Sequence, residues 1–117
     1  MVEKSWGKFV AVDLNGCDES IRESVMIRNF ISGLCDVIGM KMKGSLHLER
    51  FGVGELDGYS CIQFIETSSV TAHFDEKDSR AFIDIFSCKD FDEGVAADFC
   101  KEFFNASEAN VRVLERG

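Results

Sequence analysis

Proline is absent from the 117 residues, so turns fall to the ten glycines and to Asn and Asp. None of the five cysteines (Cys17, Cys35, Cys61, Cys88, Cys100) forms a C-x-x-C pair with another. That spacing argues against a disulfide framework and against a zinc site, and no metal is expected. Basic charge is also short: 13 Lys and Arg stand against 21 Asp and Glu, a net charge of −8. Binding to nucleic acid calls for clustered Lys and Arg, so no nucleic-acid partner is expected. No apolar run approaches the roughly 18 residues of a membrane span, which leaves no expected membrane partner. The N-terminal stretch Met1 to Lys8 is charged with no apolar segment behind it. It reads as lacking a secretory signal, and the expected location is the cytoplasm.

What is present is an ordinary globular composition, 45% hydrophobic with a mean hydropathy of −0.03. The length suits one domain spanning 1–117 around a single core. Phe9 to Leu14 alternates as a first strand, closed by Asn15-Gly16. A helix follows, capped by Asp18 or Ser20, with Ser20 to Glu23 fitting a capping box. Ile27, Phe30 or Ile31, Leu34 and Ile38 recur at helical spacing, and Gly39 closes the segment.

Further strands are expected over about 41–49, 59–66, 70–74, 81–87 and 111–114. The glycine-bearing stretch 51–58 and the charged stretch 75–80 read as loop and turn. A second helix opens at Asp92 or Glu93, carries Val95, Phe99 and Phe103 on one face, and ends near Asn105. Residues 81–87 are almost continuously apolar and should lie centrally. The order predicts an α+β fold: a two-layer α/β sandwich of a mostly antiparallel sheet with two helices on one face. The other face of that sheet, in a chain with 11 phenylalanines, invites a twin subunit, so a homodimer is expected.

One constellation carries chemistry. Ser60 stands eight residues before Ser68, His73 five after it and Cys88 twenty after it. Two hydroxyls, an imidazole and a thiol can perform self-processing: a serine attacks the preceding carbonyl, an imidazole moves protons, and a second hydroxyl holds the oxyanion.

The chain resembles the small bacterial and archaeal S-adenosylmethionine decarboxylases, pyruvoyl enzymes made as one proenzyme, from about Gly7 to Gly117. The residues that carry the resemblance are Gly7 to Cys17, Gly44-Ser-Leu-His47, Ile83-Asp-Ile-Phe-Ser-Cys88 and Leu114-Glu-Arg-Gly117. It implies that Ser68 becomes the pyruvoyl group after cleavage between Thr67 and Ser68. Ser60 and His73 would assist that cleavage, with His73 as the base. Cys88 would be the thiol acid of decarboxylation. The cofactor would thus be a pyruvoyl group derived from Ser68, which forms a Schiff base with a substrate amine. Phe51 is the candidate for the family's adenine-stacking phenylalanine, and Glu66 is a candidate for recognising an amine.

The chain departs from the family pattern at several points. Thr67-Ser68-Ser69 stands where the family has Glu-Ser-His, and Phe74-Asp-Glu-Lys77 replaces Thr-Trp-Pro-Glu. Phe9 replaces a histidine, and the loop between His47 and Ser60 is longer. The reading is therefore a lyase of polyamine synthesis that makes its own pyruvoyl group and takes S-adenosylmethionine. The alternatives are a pyruvoyl decarboxylase of a cationic amino acid, ornithine or arginine, and an unprocessed, silent paralogue with a binding role.

Overall fold

Six strands and two helices form, described in a computed structural model over residues 5–117. Met1 to Lys4, part of the stretch read as lacking a secretory signal, lie outside the described residues. The elements are β1 (Gly7–Asn15), α1 (Ser24–Val37), β2 (His47–Phe51), β3 (Gly58–Ile65), β4 (Ser68–Asp75), β5 (Arg80–Ser87), α2 (Glu93–Phe103) and β6 (Glu108–Arg116). All named strand pairs are antiparallel, in the order β2-β3-β4-β5-β1-β6. This is the two-layer α+β architecture the order of elements predicts. Among the described residues no helix is long and apolar enough to cross a membrane.

Period-two alternation sorts the sheet into two faces. Val10, Val12 and Leu14 of β1, Val70 and Ala72 of β4, and Ile83 and Ile85 of β5 are all fully buried. They meet Ile27, Phe30, Ile31 and Leu34 of α1 and Ala96, Ala97 and Cys100 of α2 in one core. The opposite, outer face carries Phe9, Ile62, Phe64, Phe82, Phe86 and Leu114, partly or largely exposed. The central position expected for 81–87 holds, since β5 lies between β4 and β1.

Both helices end in the same way. Met40 N–H donates to Cys35 O and Gly39 N–H to Asp36 O, while Ala106 N–H donates to Lys101 O and Asn105 N–H to Glu102 O. These are paired Schellman bonds, with Gly39 (φ 70°) and Asn105 (φ 50°) in the left-handed conformation they need. The motif after α1 turns Met40 inward to 6% exposure.

Four expectations change. The Ser20–Glu23 capping box does not form, because Asp18 Oδ1 accepts from Ser20 N–H and winds Glu19–Arg22 into a separate 3-10 turn before α1. The strand expected over 41–49 is split: Met42 makes one isolated bridge to Ile65, and β2 begins only at His47. Gly44 turns the chain at φ 77°, and the buried Gln63 amide donates to the Gly44 carbonyl in place of a strand partner. On α2 the buried stripe is Ala96, Ala97 and Cys100, with Phe104 just past the helix; of the expected face, Phe99 and Phe103 pack part-buried against the core and only Val95 is exposed. Small residues let α2 approach closely, and Phe99 lies instead over Gly33 of α1, where a Cβ would come within 2.6 Å of its ring. Finally β4 starts at Ser68, earlier than the expected 70.

Candidate active site

A two-residue turn, Glu66-Thr67, joins β3 to β4, so Ser68 is the first residue of its strand. Ser68 pairs with Ile65 on one side and with Ser87 on the other. The Thr67 carbonyl, just before Ser68, accepts the Cys88 backbone N–H at 3.1 Å. Such a donor polarises a carbonyl and would stabilise negative charge on its oxygen. The Thr67 hydroxyl is tied as well: it accepts from Ser87 Oγ at 2.7 Å and donates to Met40 Sδ at 3.3 Å. Met40 is delivered there by the Schellman turn of α1, so the helix end and the hairpin turn share one contact.

Cys88 follows β5 and is exposed, in contrast to the other four cysteines. Burial pushes the thiols of Cys17, Cys35 and Cys61 up to about 11 and that of Cys100 to about 12. Those four are inert, as expected for free packed thiols, and Cys88 alone is accessible. It opens onto a cavity of about 610 Å³ whose lining includes Trp6, Lys8, Ser87, Asp90 and Glu115. Glu66 is exposed beside a smaller cavity of about 240 Å³, with Lys41, Thr67 and Lys89.

The other predicted residues lie elsewhere. Ser60 Oγ and His73 Nδ1 are 2.8 Å apart, directly opposite each other across β3 and β4 on the outer face. Asp84 stands diagonally from His73 on β5. Desolvation raises its carboxyl above the ordinary value, the nearby imidazole pulling the other way. Phe51 ends β2 at the same end of the sheet, opposite Gly58 and 59% exposed. His73 is five residues from Ser68 along β4, about 16 Å of extended chain. Within one chain, then, Ser68 lies with Thr67, Cys88 and Glu66, and Ser60 lies with His73. The two groups sit toward opposite ends of the sheet.

Sequence reasoning passed over two residues here. Lys8 is 8% exposed; its Nζ bonds Asp90 and Glu93, each at 3.0 Å, and the Phe91 carbonyl. Burial works against its charge, yet the bonds to Glu93 and Asp90 leave its pKa raised overall. It fastens the segment after Cys88 to β1. The signal was readable, since Lys8 shares the inward register of Val10 and Val12. Ser87, 1% exposed, is the other, and its position opposite Ser68 depends on strand register.

Comparison with known proteins agrees with this architecture. No curated protein matches the chain. Among solved structures it is similar to the adenosylmethionine decarboxylase from Aquifex aeolicus VF5, with a TM-score of 0.84 and 23% identity over 98% of this chain and 93% of that one. That likeness is one of fold. Residues 8–117 match the family described as S-adenosylmethionine decarboxylase. With the match running from the first strand to the last residue, this chain belongs to the S-adenosylmethionine decarboxylase family.

Proposed function

We propose that the chain is the proenzyme of a cytoplasmic, pyruvoyl-dependent S-adenosylmethionine decarboxylase of polyamine (spermidine) synthesis, cleaving itself between Thr67 and Ser68. The observation that carries this reading is the hydrogen bond from Cys88 N–H to the Thr67 carbonyl. It aims a donor at the carbonyl that Ser68 would attack.

The steps follow from the residues. Ser68 Oγ bonds to the Thr67 carbonyl carbon, and the oxygen, charged in the transition state, is held by Cys88 N–H. The Thr67–Ser68 C–N bond breaks, and the hydroxyl proton ends on the freed Ser68 nitrogen, leaving an ester. A base then removes the Ser68 α-proton while the Cβ–O bond breaks, and Thr67 leaves as a carboxylate. The dehydroalanine that remains takes up water and releases ammonia, giving the pyruvoyl group. The residues present fit that group: a serine at the tip of a hairpin, a polarised carbonyl before it and one exposed thiol after β5. Once formed, it supplies an electron sink for decarboxylation. Cys88 returns the proton to the substrate's α-carbon.

His73, with Ser60 at 2.8 Å, is the candidate base and oxyanion donor, but about 16 Å of strand separates it from Ser68. We infer that a second copy supplies it. A homodimer joined through the outer faces, with the sheets running in opposite senses, would bring one chain's Ser60, His73 and Phe51 over the other's β3–β4 turn beside Glu66 and Cys88. Ser68 shares the inward register of Val70 and Ala72 and would be reached at that turn. Exposed Phe64, Ile62 and Leu114 support that face as the contact. In it Phe51 would stack on the substrate's base, and Glu66 would face its amine.

The test is intact mass after expression and incubation. Two fragments split at Thr67–Ser68, the second bearing pyruvoyl, are expected. A single unbroken 13.1 kDa species would overturn the reading and favour a silent paralogue. Labelled CO2 released from S-adenosylmethionine, and not from ornithine or arginine, is expected of the processed protein.

A further inference from the structure

A chain of two hydroxyls lies behind the Thr67–Ser68 bond. Ser87 Oγ donates to Thr67 Oγ1 at 2.7 Å and accepts the Lys89 N–H at 3.0 Å. Thr67 Oγ1 in turn donates to Met40 Sδ. The next residue, Cys88, holds the carbonyl of the same Thr67 through its backbone N–H. Thr67 is thus gripped at side chain and main chain by two consecutive residues at the end of β5.

Strand register explains why this grip is needed. The Cys88 N–H to Thr67 O bond makes Ser68 and Ser87 a non-hydrogen-bonded pair, so β5 does not bond the amide or carbonyl of Ser68. Ser68 is attached only to its hairpin partner Ile65. Of the groups of the Thr67–Ser68 peptide, β5 and the residue after it hold the Thr67 side, at its carbonyl and its hydroxyl. An unanchored threonine in a two-residue turn would let the carbonyl swing away from Cys88 N–H. Ser87 prevents that swing from a fully buried position.

We propose that Ser87 is a positioning residue for self-cleavage, acting through the Thr67 hydroxyl to keep the scissile carbonyl on the Cys88 N–H while Ser68 Oγ attacks it. The inference rests on cleavage between Thr67 and Ser68. In the step it serves, the Ser68 Oγ–C bond forms, the Thr67–Ser68 C–N bond breaks and the hydroxyl proton moves to the Ser68 nitrogen. Ser87 exchanges no atom with either residue.

The experiment follows cleavage by intact mass over time in full-length wild type, Ser87→Ala, Ser87→Thr, Thr67→Val and Thr67→Ser, with the melting midpoint of each. Ser87→Ala and Thr67→Val are expected to cleave about 10- to 100-fold more slowly, as misplaced reacting groups do. Ser87→Thr and Thr67→Ser keep both hydroxyls and are expected to stay within about threefold of wild type, since the hydrogen bond and its geometry survive. The double variant Ser87→Ala, Thr67→Val should be no slower than either single one, because both remove the same bond. Ser87→Ala cleaving at the wild-type rate overturns the proposal. Equal slowing by Ser87→Ala and Ser87→Thr, or additive slowing in the double variant, also overturns it. Should Ser87→Ala not fold, the Thr67 pair at the half-buried turn decides by the same criteria. A wild type that never cleaves overturns the cleavage reading, and this inference with it; a wild type that cleaves beside an equally fast Ser87→Ala overturns this inference alone.

Discussion

The two ends of the sheet's chemistry are built differently. At the β3–β4 turn, Thr67 is held by Ser87, Met40 and Cys88 through bonds that all lie within one chain. Near the opposite end, Ser60 and His73 hold each other on an open face, His73 exposed and its surroundings limited to neighbouring strands. The turn is complete within one chain, whereas the pair, in the proposed dimer, would act on a second copy. A preorganised carbonyl needs rigid, buried partners, whereas a group that serves a second chain must stay uncovered until that chain arrives. In the proposed dimer, that contrast separates what one chain holds ready from what it would lend to the other.

The comparison breaks most completely at Ser68. Ser68→Ala is expected to stay whole indefinitely, and a fragment ending at Thr67 in its mass spectrum would remove Ser68 from the chemistry. Next in size is His73→Gln, expected to slow cleavage by about 100- to 10,000-fold, the range for a lost general base. Co-expressing Ser68→Ala with His73→Gln sharpens the point. If the pair acts across chains, the His73→Gln chain is cleaved again in the mixed dimer, and no rescue would place the pair's action within its own chain. Cys88→Ser should cut CO2 release by at least about tenfold, as loss of a proton donor does, while fragments still form because its N–H remains.

Smaller effects test the face and the far strap. Phe64→Glu puts a charge at an exposed outer-face position and should change folding stability by no more than about 0.5 kcal/mol. It should still convert a dimer to a monomer in sedimentation and lower cleavage accordingly. Lys8→Met should lower the melting midpoint by a few degrees at neutral pH. The pH window has a definite sign. Hydrogen bonds to Lys8 and its charge lower the Asp90 carboxyl, while a backbone bond and then Lys8 lower that of Glu93. Their contribution is present above the ordinary values of 3.8 and 4.5 and is lost as pH falls below them. Lys8 itself is raised, so its share is present below 10.5 and is lost at still higher pH. The wild-type advantage over Lys8→Met should therefore fade at both extremes, and a gap that persists in acid would mean packing, not charge, carries it.

Much of the fold could be read residue by residue. Gly39 marked the end of α1 because few residues tolerate its left-handed conformation, and Ile27, Ile31 and Leu34 marked its buried face by spacing. The strand expected over 41–49 is broken because alternation alone cannot reveal that a buried amide, Gln63, claims the carbonyl at Gly44. The capping box failed for a similar reason, with Asp18 two residues ahead taking the Ser20 N–H first. Among the site residues, the Ser60–His73 pair was legible as two positions on neighbouring strands. Ser87 was not, since nothing local distinguishes a serine that ends a strand from one that grips a turn.

The element order, the family and the four residues whose types suit self-cleavage can be read along the chain, because spacing and residue chemistry are local properties. That those four fall into two groups on one sheet, and that Thr67 is held by Ser87 and Cys88, emerges when the strands pair. The reason is register: a one-residue shift of β4 against β5 would turn Ser68 and His73 to the other faces and part Ser87 from the turn. Register is set by the whole hydrophobic face and not by any motif.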